Sequence, residues 1–250
     1  MTSKEYAIYQ LKQLKGKPLK EKLEHILTYF WVPIVIVLTM LAFSVSMIVH
    51  YATMKMPVLS VCCVNAIAEE NRAQAYLDTF LQKQEFDLNR HEATLQLDMI
   101  VESSNVSMNY DNLQLLQGML GGNMIDAMAA PTALLLGYAY DGAFTDLTTV
   151  VDAQLLERLA PQLLYVDVAV LEALRGNDTE EVQLPDPQKP EEMERPVPVA
   201  ILLSSDWDFT QCCYSGMNSE IAIALVANGE NAANGQAFLK YLLNLEMENG

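Results

Sequence analysis

The chain has 250 residues, 51% of them hydrophobic, and a formal net charge of −17. That length holds one sizeable domain plus an additional segment. The acidic balance excludes nucleic acid as a partner, because such a surface repels phosphates.

Residues 1–29 form a basic tail with six lysines (Lys4, Lys12, Lys15, Lys17, Lys20, Lys22) against Glu5, Glu21 and Glu24. Leu19, Leu23, Ile26 and Leu27 fall at i, i+4, i+7 and i+8. That spacing gives one apolar helical face with lysines beside it, the pattern of a helix lying on a lipid surface. The expected path turns from that surface into the bilayer near Pro33.

From Phe30 to Val49 the chain reads "FWVPIVIVLTMLAFSVSMIV", without a charge. At about 1.5 Å per residue this helix is about 30 Å long, the thickness of a bilayer's hydrocarbon. A transmembrane helix is expected over residues 30–51, with the lipid bilayer as first partner. The basic flank stays in the cytoplasm. The expectation is a single-pass protein of the cell membrane, its N-terminus cytoplasmic and its C-terminal domain extracellular. A cleaved signal peptide has a shorter apolar run and a shorter basic region. "LSVC" at Leu59–Cys62 resembles a lipoprotein box, but Val61 is too large before the cysteine. With the tail at +3, the remainder carries 9 basic and 29 acidic residues, a charge of −20.

Next comes "VLSVCCVNA", a strand-length apolar run closed by Asn65. "EENRAQAYLDTFLQKQ" reads as a helix with Ala73, Leu77, Phe80 and Leu81 on one face. "ATLQLDMIVE" alternates and reads as a strand. "NLQLLQGML" is a helix ending at Gly121-Gly122. "MIDAMAA" is a strand, and Pro131 with Thr132 opens the helix "TALLLGYAY". "DAQLLERLAPQLLYVDVAVLEAL" is expected to continue as helix, interrupted near Pro161. Residues 176–198, acidic and proline-rich, form an inserted loop or exposed hairpin outside the core. "VAILLSS" and "EIAIALVANG" are late strands. "NAANGQAFLKYLLNLE" closes the chain as a helix with Phe238, Leu239, Leu242 and Leu243 inward. Strands alternating with helices predict an α/β domain over 57–250, with a mainly parallel sheet and helices on both faces.

Few residues offer chemistry. The histidines are His25, His50 and His91 only. No H-E-x-x-H, G-x-S-x-G, Gly-Lys-Ser/Thr phosphate loop or G-x-G-x-x-G is present. Neither an enzyme nor a cofactor is expected. Asp206 and Asp208, two apart in "SDWDF", fall short of the oxygens a calcium ion takes. The four cysteines stand as two adjacent pairs, Cys62-Cys63 and Cys212-Cys213. Adjacent strand residues point to opposite faces, so a bridge within a pair is strained and a bridge across the pairs is easier where the segments are neighbours. The alternative is buried free thiols acting as small apolar groups. Neither pair has metal-binding separation.

The stretch "GMLGGNMIDAMAAPTALLLGYAYDGAFTDLTTVVDAQLLERL" resembles the extracellular solute-binding proteins of ABC transporters. The matching places hold Gly121, Gly122, Asp126, Tyr138, Ala139, Gly142, Phe144, Asp146 and Leu147. "IAIALVANGENAANGQAFLKYLLN" looks like that family's late strand and closing helix. "KEKLEHILTYFWVPIVIVLTML" is similar to membrane-tethered relatives in Firmicutes-type bacteria. The resemblance covers residues 57–250 and implies a periplasmic-binding-protein-like α/β lobe. It also implies a small solute as ligand, presented to or sensed for a membrane protein partner; the competing reading is a surface scaffold, a remnant lobe used for protein contact by self-association. Where the family inserts a second lobe, this chain has the acidic segment 176–198, so the second lobe is reduced or absent. In parallel α/β sheets ligands bind beyond the carboxyl ends of strands. The candidate ligand-binding residues are therefore Asn65 and Ala66; Ala130, Pro131 and Thr132; and Ser204, Ser205 and Asp206. The competing use of each is capping and turn chemistry.

Overall fold

The computed structural model describes residues 3–12, 15–101, 106–176 and 183–249. They divide into two compact units, 1–54 and 55–250. The first contains helices α1 (Ser3–Lys12) and α2 (Leu19–Thr53). Helix α2 has 35 residues, about 50 Å, and none of them is buried. It is long and apolar enough to cross a membrane. The expected turn near Pro33 does not interrupt it: the helix runs straight through that residue in sequence. An interior proline removes one backbone donor, here opposite the Tyr29 carbonyl, and apolar helices of this length absorb that loss.

The second unit is a six-stranded sheet covered on both faces. In chain order it comprises β1 (Met56–Cys63), α3 (Glu70–Lys83), β2 (His91–Gln96), α4 (Val106–Gly121), β3 (Ala127–Pro131) and α5 (Thr132–Tyr140). There follow α6 (Ala153–Arg158), β4 (Leu163–Asp167), α7 (Val168–Arg175), β5 (Pro196–Leu203), α8 (Asp208–Tyr214), β6 (Ile221–Leu225) and α9 (Ala232–Asn249). The strand order is β2-β1-β3-β6-β5-β4. β1 pairs in parallel with β2 and β3, whereas the β3–β6, β6–β5 and β5–β4 pairs are antiparallel.

The sheet is thus mixed, not mainly parallel. The connections explain why. A parallel return needs a crossover that carries the chain back along the sheet. Helix α8 has seven residues, about 10 Å, and β6 re-enters at the edge β5 left, Leu203 opposite Ile221. Helix α7 has eight residues, and β5 likewise re-enters beside the end of β4, Asp167 opposite Pro196.

Two further expectations are corrected. Residues 152–174 are not one interrupted helix: "LLYVD" is strand β4, and only its flanks are helical. A continuous apolar run reads equally as buried helix or buried strand; here Pro161 precedes it and Asp167 caps the helix after it, accepting from Ala169 N at 2.9 Å. The insert 176–198 is also shorter than expected, because Pro196–Pro198 already belongs to β5 and Met193 is buried. Residues 177–182 of that segment lie outside the described residues.

Alternation along the strands splits the core into two layers. Leu59, Val61, Cys63, Ile201, Ile221 and Ile223 face one way with α3, α8 and α9. Cys62, Val64, Met128, Ala200, Ala222 and Ala224 face the other with α4 and α5. Ala73, Leu77, Phe80 and Leu81 of α3 are all buried, as are Phe238, Leu239, Leu242 and Leu243 of α9. Aromatic rings join the helices of the first layer: Phe80 and Phe209 lie 5.4 and 5.8 Å from Phe238.

One carboxylate ties the centre of the sheet to α9. Asp126, 2% exposed, accepts from Ser60 N at 2.8 Å and from Asn231 N at 2.6 Å. Its own backbone N–H donates to the Ser60 carbonyl at 2.9 Å, and its carbonyl accepts from Val226 N at 3.0 Å. The chain before α9 passes so close that a Cβ on Gly229 would stand 2.8 Å from Asp126 Oδ1 and 3.0 Å from its Cα. Only glycine fits such an approach. Gly142 has a different reason: φ is +79°, and Gly142 N and Ala143 N close the end of α5 onto Ala139 O and Tyr138 O.

Asp167 ties down the end of the insert, accepting from Glu194 N at 2.8 Å and Arg195 N at 3.0 Å besides Ala169 N. Burial pushes its carboxyl upward, but three backbone N–H donors outweigh this and hold it below the ordinary value of 3.8. Arg195 also pairs with Glu172 on α7.

Asp126→Ala strands two backbone donors at about 1–3 kcal/mol each. The full-length chain in detergent is expected to melt roughly 10 °C lower; an unchanged midpoint contradicts the clamp. Asp167 supplies stability that is complete above pH 3.8 and is lost as pH falls through its lower folded value. Acid titration of the melting midpoint should therefore be flatter below pH 3.8 in Asp167→Asn than in the parent chain.

Candidate functional site

The carboxyl ends of β1, β2, β3 and β5 share one edge of the sheet with the beginning of β6. Two hollows open there. The larger, about 570 Å³, lies between the end of β5, helix α8, Arg72 of α3 and the loop Ser215–Glu220. The smaller, about 440 Å³, lies between Pro131, Thr132, Leu136 and the same loop at Ser219 and Glu220. The loop 215–220 is thus a ridge between two depressions, and Gly216 at its turn has φ +80°.

The expected ligand-binding residues separate into three kinds. Asn65 and Ala66 line neither hollow. Asn65, at φ +59°, uses its amide as a bracket: Nδ2 donates to Val101 O at 3.0 Å and Oδ1 accepts from Val101 N at 2.6 Å. This fastens the segment after β2 to the end of β1. Ala66 packs against the first core layer, and Ala130 is fully buried in the second. Pro131 and Thr132 line the smaller hollow, but both Thr132 donors are spent. Its N–H and Oγ1 reach the Glu220 carbonyl at 3.0 and 3.1 Å. Ser205 lines the larger hollow. The Ser204 carbonyl accepts from Trp207 N at 3.2 Å, and the Asp206 carbonyl accepts from Gln211 Nε2 at 3.4 Å. Those two residues shape the turn into α8.

The polar groups left around the hollows are different ones, and nothing local in the sequence marks them. Thr210 is 6% exposed and lines the larger hollow, and its buried Oγ1 has no hydrogen-bond partner among the described residues. The exposed Arg72 guanidinium makes no ion pair among the described residues. Glu220 and Ser219 border both hollows. A cation and a carboxylate around a concave surface can hold a polar solute by hydrogen bonds and charge.

Helix α8 forms a wall of the larger hollow and is held firmly. Tyr214 OH donates to Ala129 O at 2.8 Å and lies 3.2 Å from Val64 O, while Ile67 N donates to Cys213 O at 3.0 Å. Cys212 and Cys213 belong to this helix, not to a strand, so both turn toward the first core layer. All four cysteines are buried thiols, none bridged in the structure. Burial pushes the Cys62 thiol up to about 12. The hydrogen bond to Cys213, together with burial, raises Cys63 well above the ordinary thiol value. Among the described residues no group of three or more His, Cys, Asp or Glu side chains is placed to hold a metal ion.

Comparison of the chain with protein-family models, with curated proteins and with solved structures gives no match.

Proposed function

We propose that the chain is a membrane-anchored, non-enzymatic module that binds or senses a small polar solute outside the cytoplasm. The apolar helix α2 is the anchor in this reading, and the lysine-rich segment before it marks the inner side. The observation that carries the solute reading is the pair of hollows at the carboxyl edge of the sheet, bordered by Arg72, Thr210 and Glu220. Its support from sequence is the resemblance of residues 57–250 to one lobe of the solute-binding proteins of ABC transporters. With the second lobe reduced to an acidic insert, the site stays open on one side. Such a module holds its ligand weakly, or completes its cleft with a membrane partner.

A second reading has its own observation. Ile67 and Ile100 are 62% and 52% exposed. They stand on neighbouring segments at this edge, joined through Asn65 N to Met99 O at 2.8 Å. Exposed apolar side chains beside a polar rim suit protein contact, so the edge then serves as a scaffold surface or a self-association face.

Thermal melting of the full-length chain in detergent, against a panel of sugars, amino acids, short peptides and organic acids, separates the two. The solute reading expects one class to raise the midpoint, with the rise abolished in Arg72→Ala and reduced in Thr210→Val. A flat response across the panel, with concentration-dependent dimers in light scattering, supports the scaffold reading instead.

A further inference from the structure

We propose that Cys63 and Cys213 are a disulfide-forming pair that fastens α8 to the end of β1, while Cys62 and Cys212 remain thiols. The sequence left all cross-pair combinations open, and the fold separates them. Alternation along β1 sends Cys62 to the layer under α4 and α5, and Cys63 to the layer under α3, α8 and α9. Cys212 and Cys213 both lie in the second of these layers. A bond from Cys62 to either would have to pass through the sheet. On the shared side, Cys63 and Cys213 are both fully buried in one core layer, and the neighbouring Cys213 side chain together with burial raises the Cys63 thiol. Backbone contacts hold the two segments in this register, through Ile67 N to Cys213 O and Tyr214 OH to the Val64 and Ala129 carbonyls. Cys212 retains 4% exposure.

The co-reactant is a low-molecular-weight disulfide or the disulfide of an exported thiol oxidase. The Cys63 thiolate attacks it, forming a mixed disulfide and releasing one thiolate. Cys213 then attacks the Cys63 sulfur, forming the Sγ–Sγ bond and expelling the second thiolate. The two protons from Cys63 and Cys213 go to the two released thiolates. Two protein thiols are oxidised and one external disulfide is reduced. Burial covers both sulfurs in the closed fold, so exchange proceeds when α8 opens. Once formed, the bond is shielded by the same packing. Because Thr210, Gln211 and Tyr214 of α8 line the larger hollow, oxidation fixes one wall of the proposed site.

The test uses the full-length chain in detergent. It is held with oxidised and reduced glutathione near its melting midpoint, cooled and acid-quenched. The remaining thiols are then alkylated in denaturant and the peptides mapped by mass spectrometry. The expected result is a Cys63–Cys213 link with Cys62 and Cys212 alkylated. The linked form should melt roughly 10 °C higher than the reduced form. Cys63→Ser should abolish the link, and Cys62→Ser, on the opposite layer, should leave it intact. Four alkylated cysteines in the parent chain, or a link through Cys62 or Cys212 as the main product, overturns the pairing. Solute binding is read separately by the melting panel on the reduced chain, so failure of either proposal does not imitate failure of the other.

Discussion

The buried carboxylate of Asp126 is the constraint on which the domain's organisation depends. It reaches Ser60 on β1 and Asn231 at the approach to α9, two segments far apart in sequence. Its own backbone meanwhile pairs β3 with β1 on one side and with Val226 beyond β6 on the other. Three strands and the last helix are thereby brought to one point. Buried backbone donors left without partners are costly, so this carboxylate fixes the order in which β1, β3 and β6 lie side by side. The chain's passage over it requires Gly229, where a Cβ would collide with the Asp126 side chain and backbone.

What is fixed at one edge of the sheet shapes the other. Holding β6 antiparallel between β3 and β5 places its start, and the loop Ser215–Glu220 before it, among the carboxyl ends of the neighbouring strands. The loop then divides that edge into two hollows. Helix α8 becomes a wall because Phe209 is packed against Phe238 and Tyr76, and because Tyr214 reaches across to β1 and β3. Of the polar groups around the proposed site, Arg72 and Thr210 therefore sit on helices α3 and α8, while Ser219 and Glu220 stand on the loop before β6.

Much of this was legible in the amino-acid sequence, and the reasons are specific. α3 and α9 announced themselves because their apolar residues repeat at helical spacing and their opposite faces are polar. β6 was legible because Ile221, Ile223 and Leu225 alternate with alanines that fill the thinner layer. β4 was not, because "LLYV" is apolar throughout and periodicity cannot separate a buried strand from a buried helix. Strand direction was also hidden. Whether a connection crosses the sheet or turns back depends on the lengths of α7 and α8, and neither helix was anticipated with its true bounds.

At the candidate site, Pro131, Thr132 and Ser205 line the hollows at the strand ends, whereas Asn65 and Ala66 do not. Their hydrogen-bonding capacity was not legible, since Thr132 spends its donors on Glu220 and Asn65 spends its amide on Val101. Arg72, Thr210 and Glu220 come from three separate segments that only tertiary structure assembles. The central claim is that the acidic domain stands outside the membrane and the lysine-rich segment inside. Labelling intact cells with a membrane-impermeant amine reagent, followed by mass spectrometry, tests it most directly. The account predicts modification at Lys189, whose side chain is 49% exposed, with Lys17 and Lys20 modified only after lysis. Labelling of Lys17 and Lys20 in intact cells, with Lys189 protected, contradicts it.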